Sequence, residues 1–454
     1  MLFTTKWLST ILTNYRGRAQ EHIPIEQVTT DSRVKSTNAL FVPIVGENFD
    51  GHAFVQQAIE QGASAVIWNR EKELPESVPA DFPIFLVENT VHALQEIARH
   101  YRKKVNPIVI GITGSNGKTS TKDMVASVMK TTYRTHFTDG NFNNEIGLPL
   151  TILAMRLDTE VLVLEMGMSD FGEIELLSQI ARPDYAVITN IGESHIEFLG
   201  SRHGIAKAKL EITSGLKTNG KLIIDGDEEL LKDVHGKENV ITCGFKAYND
   251  VTIKNVEIMH HQTVFELSDN NKYVVPLLGE HQAQNASYAI TLGKLLHVDS
   301  AFIEKSLQSL SITSMRFEIL KGINDVAIIN DAYNASPTSM KAAIEVVKQM
   351  NGFQEKVLIL GDIFELGEHS EGLHRSVADE IDDSITAVYT VGHDSHVITE
   401  AVKSRYPHLI AKHFNVNEEL INELNTYVKQ DTLLLFKASR GMHFETLIEK
   451  IQNQ

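Results

Sequence analysis

Cysteine is almost absent from this sequence of 454 residues, since Cys243 is the only one. A single cysteine excludes an intramolecular disulfide framework, and it excludes zinc or iron–sulfur sites built from several cysteines. Long apolar runs are also missing, because no stretch approaches the roughly 18 residues that indicate a transmembrane helix. We therefore expect a cytoplasmic protein without a membrane span.

An excess of basic residues is missing as well. Lysine and arginine number 42 against 59 aspartate and glutamate residues, which gives a formal net charge of -17. General nucleic-acid binding needs a basic face, so the composition argues against a nucleic-acid partner. It does not argue against a small anionic ligand, because one lysine in contact with a phosphate outweighs many distant charges.

The residues that are present are those of a globular protein, with 42% apolar and 22% charged. At roughly 150 residues per domain the length predicts about three domains, which we place at 1–105, 106–313 and 314–454. Apolar side chains in the stretch 1–18 fall on one helical stripe with polar residues between them. That pattern predicts an amphipathic surface helix and not an export signal.

Short apolar runs typical of buried parallel strands alternate with helical stretches along the second and third domains. Such runs occur at 108–112, 161–164, 186–189, 221–224, 326–329, 356–360, 387–391 and 433–436. The alternation predicts an α/β fold, with a small N-terminal α/β domain, a central parallel-sheet domain and a C-terminal Rossmann-like doubly wound domain. Polar residues follow many of these strands, so a ligand site between the two sheets is expected.

The most specific motif lies between the strand at 108–112 and a helical run that starts at Thr121. Its residues are Thr113, Gly114, Ser115, Asn116, Gly117, Lys118, Thr119 and Ser120. Glycines let backbone amides surround phosphate oxygens, the lysine adds a full positive charge, and the threonine hydroxyl suits Mg²⁺. The loop therefore predicts ATP binding. Its two glycines are closer together than in the general phosphate-loop motif, which disfavours a simple P-loop kinase or GTPase.

This loop is similar to that of the Mur ligase family, the ATP-dependent amino-acid ligases of peptidoglycan precursor synthesis. The resemblance extends in the same order over essentially the whole chain. It implies an ATP- and Mg²⁺-dependent ligase that forms a peptide bond through an acyl phosphate. It also implies a role in cell wall biogenesis, and through it in cell shape and cell division.

The resemblance implies metal and catalytic roles in the central domain. Glu165 follows a buried strand and, with Thr119, matches the family's magnesium ligands; His195 matches the histidine that helps to hold a second magnesium. Lys209 matches an N-carboxylated lysine, whose carbamate offers oxygen atoms to a metal. Without the resemblance, Lys207 and Lys209 would be interpreted as the solvated face of a helix.

Further matches concern the nucleotide. Asn285 corresponds to the asparagine that contacts adenine, Arg316 to the arginine that reaches the γ-phosphate, and Asp331 to a nucleotide-contacting aspartate. Taken alone, Asn285 is equally suited to capping a helix. The catalytic set implied by the resemblance is Lys118, Lys209, His195 and Arg316.

The run 331–339 resembles one branch of the family, the ligases that join D-alanyl-D-alanine to UDP-N-acetylmuramoyl-tripeptide. The segments 361–367 and 437–442 agree with that branch, and the Asp-Asn-Pro-Arg motif of the sibling that adds the third residue is absent. The resemblance places Asn334, Ser336, Asp362 and Glu365 on the side of the amine substrate. It places Ser32, Arg33, Asn48, Asp50 and His52 in a UDP-binding N-terminal domain, although these residues alone indicate only turns.

Other functions are compatible with parts of this pattern. One alternative is another Mur-type or folylpolyglutamate-type amide ligase, and another is a P-loop kinase or nucleotide switch without ligation. A non-catalytic binding protein agrees less well with the polar strand ends. The sequence leaves open whether the tripeptide ends in lysine or diaminopimelate and whether Lys209 is carbamylated, and we expect a monomer.

Overall fold

A computed structural model of the chain describes residues 1–259, 261–310 and 314–453. The predicted boundary after residue 313 lies outside these residues. We use the ranges 1–105, 106–313 and 314–454 to name a first, a second and a third region, and the boundaries themselves stay a prediction.

The first region is built on a small mixed sheet. Its strands are β1 Phe3–Thr4, β2 Tyr15–Arg16, β3 Pro24–Ile25, β4 Gln27–Thr29, β5 Ala39–Phe41, β6 Ala63–Asn69 and β7 Ile84–Val87. Its helices are α1 Thr5–Ser9, α2 Val55–Glu60 and α3 Thr90–Val105, with a 3₁₀ turn at Gly51–Phe54. The main sheet has the order β2-β7-β6-β5-β4, in which β4 to β7 are parallel and β2 is antiparallel.

The predicted amphipathic helix at 1–18 is wrong. Only Thr5–Ser9 is α-helical, and Phe3 lies on strand β1, which pairs with β3. Phe3 and Leu8 are buried at 1% and 0% exposure. The apolar side chains of this stretch therefore belong to the core, because the paired strand and the short helix both turn them inward.

The second region contains the largest sheet. Its strands are β8 Ile108–Thr113, β9 Thr135–Phe137, β10 Val161–Glu165, β11 Tyr185–Ile188, β12 Lys221–Asp225, β13 Val240–Gly244, β14 Val251–Met259, β15 Gln262–Leu267 and β16 Lys272–Val275. Its helices are α4 Lys118–Lys130, α5 Gly147–Ala154, α6 Glu173–Ala181, α7 Ile196–Leu199, α8 Arg202–Leu210, α9 Glu280–Leu295 and α10 Ser300–Gln308. Within the described chain the strand order is β16-β15-β14-β13-β12-β11-β8-β10-β9.

The strands from β9 to β14 in that order run parallel, and β14, β15 and β16 form an antiparallel extension at one edge. The parallel strands at 108–112, 161–164, 186–189 and 221–224 are confirmed to within about a residue at each end. They were predictable because helices cover both faces of the sheet, which requires continuous apolar runs. The antiparallel strands were not predicted.

The third region is a doubly wound sheet. Its strands are β17 Glu318–Lys321, β18 Ala327–Asn330, β19 Glu355–Gly361, β20 Ala387–Val391, β21 Ile410–Phe414 and β22 Thr432–Lys437. Its helices are α11 Pro337–Gln349, α12 Ser370–Val377, α13 His396–Arg405, α14 Asn417–Leu424 and α15 Glu445–Asn453. The order is β17-β18-β22-β19-β20-β21, parallel except for β17. The predicted three-part α/β architecture is confirmed.

The two larger sheets present their carboxyl ends to each other. Contacts across them join the loop after β8 to the start of α11, and the loop after β11 to the loop after β19. No helix in the described part of the chain is both long and apolar enough to cross a membrane.

Candidate functional site

The loop after β8 is closely packed, and its glycines are needed for that packing. Gly117 has φ +77° and precedes α4, and a Cβ atom there would lie 2.6 Å from Asn285 Oδ1. A Cβ atom on Gly114, with φ +151°, would overlap the side chain of Thr189. Only glycine fits both the backbone conformation and the space at these two positions.

Polar atoms around this loop are left without protein partners. Within the described residues, the buried atoms Thr113 Oγ1, Ser115 Oγ and Asn116 Nδ2 have no hydrogen-bond partner. The Lys118 ammonium donates to the Gly114 carbonyl at 2.8 Å, and burial lowers its pKa, an effect that the Glu165 charge opposes. Buried polar groups are normally satisfied, so a loop with free donors beside a lysine fits an anionic ligand such as a phosphate.

Thr119 and Glu165, the two residues predicted to bind magnesium, are in direct contact. Glu165 is buried at the end of β10, and its Oε2 accepts a hydrogen bond from Thr119 Oγ1 at 2.9 Å. Its Oε1 accepts from Asn143 Nδ2 at 2.8 Å. Hydroxyl and carboxylate oxygens are the ligands that Mg²⁺ prefers. No group of three His, Cys, Asp or Glu residues suited to a metal occurs in the described ranges.

Asn143 is a site residue that the sequence pattern did not reveal. It lines the same cavity as Glu165, and its carbonyl accepts from the Gly167 amide at 2.9 Å. The available signal was the Asn143-Asn144 pair shortly before α5. Asn144 Oδ1 accepts a hydrogen bond at 2.8 Å from the amide of Gly147, the first residue of the helix, and this contact explains one asparagine but not the other.

Lys209 lies inside the protein rather than on a solvated helix face. It is 1% exposed, and burial together with the Lys118 charge lowers its pKa well below the ordinary value. Its ammonium has no hydrogen bond or ion pair with the described residues. Lys207, two residues earlier, is exposed and lies over the Phe171 ring at 5.7 Å. The solvated-face interpretation is therefore wrong for Lys209, although Lys209 does not line the cavity.

Arg316 connects the third region to the phosphate loop. Its Nη2 donates to Thr119 Oγ1 at 3.0 Å, and its guanidinium lies 4.1 Å from the centre of the Tyr333 ring. Its Nε is buried without a partner in the described structure. The cation of Arg316 is thus held beside the phosphate loop.

Asp331 and Asn285 both line the cavity, and both already have protein partners. Asp331 pairs with Lys437 at 2.6 Å, and Asn285 Oδ1 accepts from Thr121 Oγ1 at 3.3 Å. His281 lines the same cavity, and burial lowers its pKa to about 4, an effect that Asp331 opposes. His281 therefore presents a neutral imidazole at neutral pH. It lies four residues before Asn285, and it was not among the site residues predicted from the sequence.

These residues surround one cavity of about 470 Å³ between the second and third regions. Twelve of the predicted site residues line it: Ser115, Asn116, Gly117, Lys118, Thr119, Ser120, Glu165, His195, Asn285, Arg316, Asp331 and Asn334. A cavity of this kind with convergent polar groups is the usual form of a ligand site.

The residues predicted on the side of the amine substrate differ in what they contact. Ser336 and Glu365 contact the second region, whereas Asp362 contacts backbone amides of the third region. Ser336 Oγ donates to Asn116 Oδ1 at 2.9 Å, and Glu365 forms an ion pair with His195, which lowers the pKa of Glu365. Asp362 is buried and accepts hydrogen bonds from the amides of residues 393, 394 and 395 at 2.7–3.0 Å. Those bonds give Asp362 a structural role before α13, and the structure does not bring it into the cavity.

The predicted UDP-binding residues lie apart from this cavity, on the loops after β4 and β5. Arg33 is exposed and pairs with Asp31, while Ser32 Oγ donates to Gln57 at 2.8 Å. Asp50 pairs with both Lys72 and the buried His52. Asn48 is exposed. Asp50 and His52 thus hold the loop together, and Arg33 and Asn48 are the exposed polar side chains of this set.

Three family models match the chain in succession. They are the Mur ligase family catalytic domain over residues 24–102, the Mur ligase middle domain over 112–293, and the Mur ligase glutamate ligase domain over 315–440. The chain is 45% identical over 433 residues to the UDP-N-acetylmuramoyl-tripeptide--D-alanyl-D-alanine ligase of Bacillus subtilis (strain 168), with 95% of this chain and 94% of that protein covered.

Solved structures agree with these matches. The crystal structure of MurF from Acinetobacter baumannii superposes with a TM-score of 0.87 at 29% identity and covers 100% of this chain and 99% of that one. The MurF ligase of Thermotoga maritima in complex with ADP gives a TM-score of 0.82 at 30% identity, covering 94% and 97%. The chain belongs to the Mur ligase family.

Proposed function

We propose that this chain joins D-alanyl-D-alanine to UDP-N-acetylmuramoyl-tripeptide, with ATP converted to ADP and phosphate. The product is the pentapeptide precursor of peptidoglycan. The observation that carries the proposal is the cavity in which the phosphate loop faces Arg316 and the turn at 331–336. The relatives of similar length carry the name of this ligase, and the family is one of ATP-dependent, amide-bond-forming enzymes. A kinase or nucleotide switch would not need the matched ligase domain.

The chain binds ATP, and we assign its phosphates to the loop 113–120. Lys118 lies on the loop and Arg316 reaches it from the third region, and both would neutralise the γ-phosphate as charge moves during transfer. Asn285 and His281 line the same cavity and would contact the adenine. Phosphoryl transfer asks little covalent work of a protein, so positioning and charge neutralisation would supply most of the catalysis.

The residues around the loop also fit Mg²⁺. Thr119 and Glu165 offer a hydroxyl and a buried carboxylate in contact, and His195, which lines the same cavity, would add a ligand. A carbamate on Lys209 would add oxygen ligands, and the low pKa of this lysine favours the free amine that carbamate formation needs. Bound there, Mg²⁺ would supply charge stabilisation for the transferring phosphoryl group.

The reaction would proceed in two steps. The terminal carboxylate of the tripeptide attacks the γ-phosphorus, which releases ADP and leaves an acyl phosphate. The amine of D-alanyl-D-alanine then attacks the acyl carbon, the tetrahedral intermediate collapses, and phosphate leaves. The third region, through Arg316, Asn334 and Ser336, would cover the cavity and keep water from the acyl phosphate.

The first region would hold the UDP part of the substrate. Ser32, Arg33, Asn48, Asp50 and His52 lie on loops after neighbouring parallel strands, and the carboxyl ends of such strands are common ligand sites. We assign direct contacts to Arg33 and Asn48, with Asp50 and His52 as their support. The proposal includes a monomer that acts in the cytoplasm.

The test is product formation by the purified protein. UDP-N-acetylmuramoyl-tripeptide ending in lysine or in diaminopimelate is incubated with D-alanyl-D-alanine, ATP and Mg²⁺, and the product is weighed by mass spectrometry. We expect the mass of the pentapeptide with one of the two tripeptides. Lys118→Ala and Glu165→Ala should abolish the product while circular dichroism and the melting temperature stay close to those of the unmodified protein. ATP turnover that does not depend on the amine would contradict the proposal.

A further inference from the structure

The start of helix α11, in the third region, is held at two points by the second region. Ser336 Oγ donates to Asn116 Oδ1 on the phosphate loop at 2.9 Å. Two residues further on, Thr338 Oγ1 donates to Glu193 Oε2 at 2.6 Å, and the Thr338 amide donates to the same oxygen at 3.3 Å. Glu193 lies on the loop between β11 and α7, so both contacts cross from one sheet to the other.

Glu193 acts as a helix cap that is supplied by a different region. The first amides of a helix have no acceptor within the helix. Ser336 and Ser339 form a capping box that satisfies each other's amides, and this leaves the Thr338 amide to Glu193. A carboxylate at this position also interacts favourably with the partial positive charge of the helix N-terminus.

Gly192 makes this close approach possible. A Cβ atom there would lie 3.0 Å from Asn116 Nδ2, 3.2 Å from Ser115 Cβ and 3.6 Å from Thr338 Oγ1. A side chain at this position would therefore push against the phosphate loop on one side and approach α11 on the other. The helix start and the phosphate loop meet across a glycine.

We propose that Glu193 is a positioning residue for the ligation, which caps α11 from the second region and fixes the third region against the phosphate loop. The turn that carries Asp331 and Asn334 leads directly into α11, so fixing the first helical turn fixes these two cavity residues as well. This inference rests on the proposed ligase function. Glu193 itself does not line the cavity, whereas Thr338 does.

The first experiment uses two matched substitutions of Thr338. Thr338→Val keeps the shape and removes the hydroxyl, and Thr338→Ser keeps the hydroxyl and removes the methyl group. We expect Thr338→Val and Glu193→Ala each to lower kcat about tenfold, as for the loss of a hydrogen bond to a charged group. Thr338→Ser should retain at least about half of kcat, and the Kd for ADP should stay within about twofold in all three, because the phosphate loop is unchanged.

The second experiment does not depend on activity. Glu193→Ala leaves the sequence of α11 unaltered, so hydrogen exchange of its amides can be compared directly with that of the unmodified protein in the presence of ADP. We expect the amides of residues 338–340 to exchange about tenfold faster. The amides of residues 343–349 should be unaffected.

A double variant distinguishes two explanations for a loss of activity in the Thr338 variants: loss of the helix cap, and loss of a direct contact between Thr338 and the substrate. Glu193→Ala with Thr338→Val should be no more impaired than either single variant, because both remove the same interaction. Unchanged exchange at 338–340 in Glu193→Ala, or equal losses in Thr338→Val and Thr338→Ser, would overturn the inference. If the unmodified protein makes no pentapeptide but the exchange changes as expected, the proposed function fails and the cap stands.

Discussion

At the scale of single residues, the protein buries ionisable side chains where water cannot solvate their charged forms. Lys209 is buried beside the positive charge of Lys118, and Asp225 is largely withdrawn from solvent at the end of β12. Such burial favours the neutral form of each group, so the lysine pKa falls and the aspartate pKa rises. The two shifts have different consequences.

For Lys209 the consequence is chemical. Carbon dioxide adds to a free amine and not to an ammonium, so a lowered pKa favours the carbamate at neutral pH. We expect a carbamate resonance by ¹³C NMR in protein equilibrated with ¹³C-bicarbonate at pH 8, which weakens as the pH is lowered and the amine becomes protonated. Lys209→Ala should lose both the resonance and the ligation, and the exposed Lys207→Ala should keep both. Full activity in Lys209→Ala without a response to bicarbonate would remove the assignment.

For Asp225 the consequence is stability. Burial raises its pKa to about 7, whereas the unfolded carboxyl titrates near 3.8. The folded state therefore binds the proton more tightly, and this contribution is lost as the pH rises from about 4 through 7. We expect Asp225→Asn to raise the free energy of unfolding by roughly 2–4 kcal/mol at pH 8 and to change it little at pH 4. Denaturant titrations at both pH values, with the exposed Asp233→Asn as control, measure the difference.

At the scale of elements, the unit of β8, phosphate loop and α4 shows how a short sequence sets a precise geometry. The continuous apolar run of β8 is buried between β10 and β11, and α4 starts directly after Gly117. This unit was predictable because its conformation depends on residues close in sequence. The motif did not reveal that the side chain of Asn285, on α9, packs against Gly117.

That packing leads to a prediction for Gly117→Ala. The new Cβ atom would meet Asn285 Oδ1, and alanine disfavours the positive φ, so the loop has to shift. We expect ADP to bind at least about tenfold more weakly, as measured by calorimetry. Gly140→Ala is the matched control, because its φ is also positive, at +52°, and no atom lies within 4 Å of the added carbon. Equal affinities in the two variants would contradict this role for Gly117.

At the scale of the whole molecule, the cavity exists only because two separately built sheets face each other. Arg316 enters from the third region and donates to Thr119 of the second, 197 residues earlier in the chain. His195 and Glu365 make a second connection of this kind. We therefore expect activity to depend on the arrangement of the regions as well as on the fold of each.

The prediction at this scale is a separation of catalysis from nucleotide binding. On the proposed mechanism, Arg316→Ala removes the cation that neutralises the γ-phosphate, so kcat should fall by about 10³–10⁵, the range seen for such arginines in phosphoryl transfer. ADP lacks the γ-phosphate, and its Kd should change less than about threefold. Arg316→Lys should be intermediate, since lysine keeps the charge without the planar group. Lys321→Ala, at an exposed position, is the control. A large loss of ADP affinity in Arg316→Ala would count against a role of Arg316 at the γ-phosphate.

The sequence by itself determined the α/β class, the parallel strands and the phosphate loop. Continuous apolar runs and glycine positions are local properties, and they act through backbone conformation and burial. The resemblance of the motifs to the Mur ligase family added the predictions for Glu165 and Arg316 and the branch of the family. The same local logic failed for residues 1–18, where strand pairing and burial in the core replaced the helix that the apolar stripe indicated.

Only the tertiary structure decided the environments of the individual side chains. It buried Lys209, engaged Asp362 with three backbone amides, brought Asn143 to Glu165, and set Glu193 against Thr338. Each of these depends on groups that lie far apart in the sequence and meet only when the sheets pack. The physical reason is that hydrogen bonds and desolvation act over a few ångströms in space, and distance along the chain does not report them.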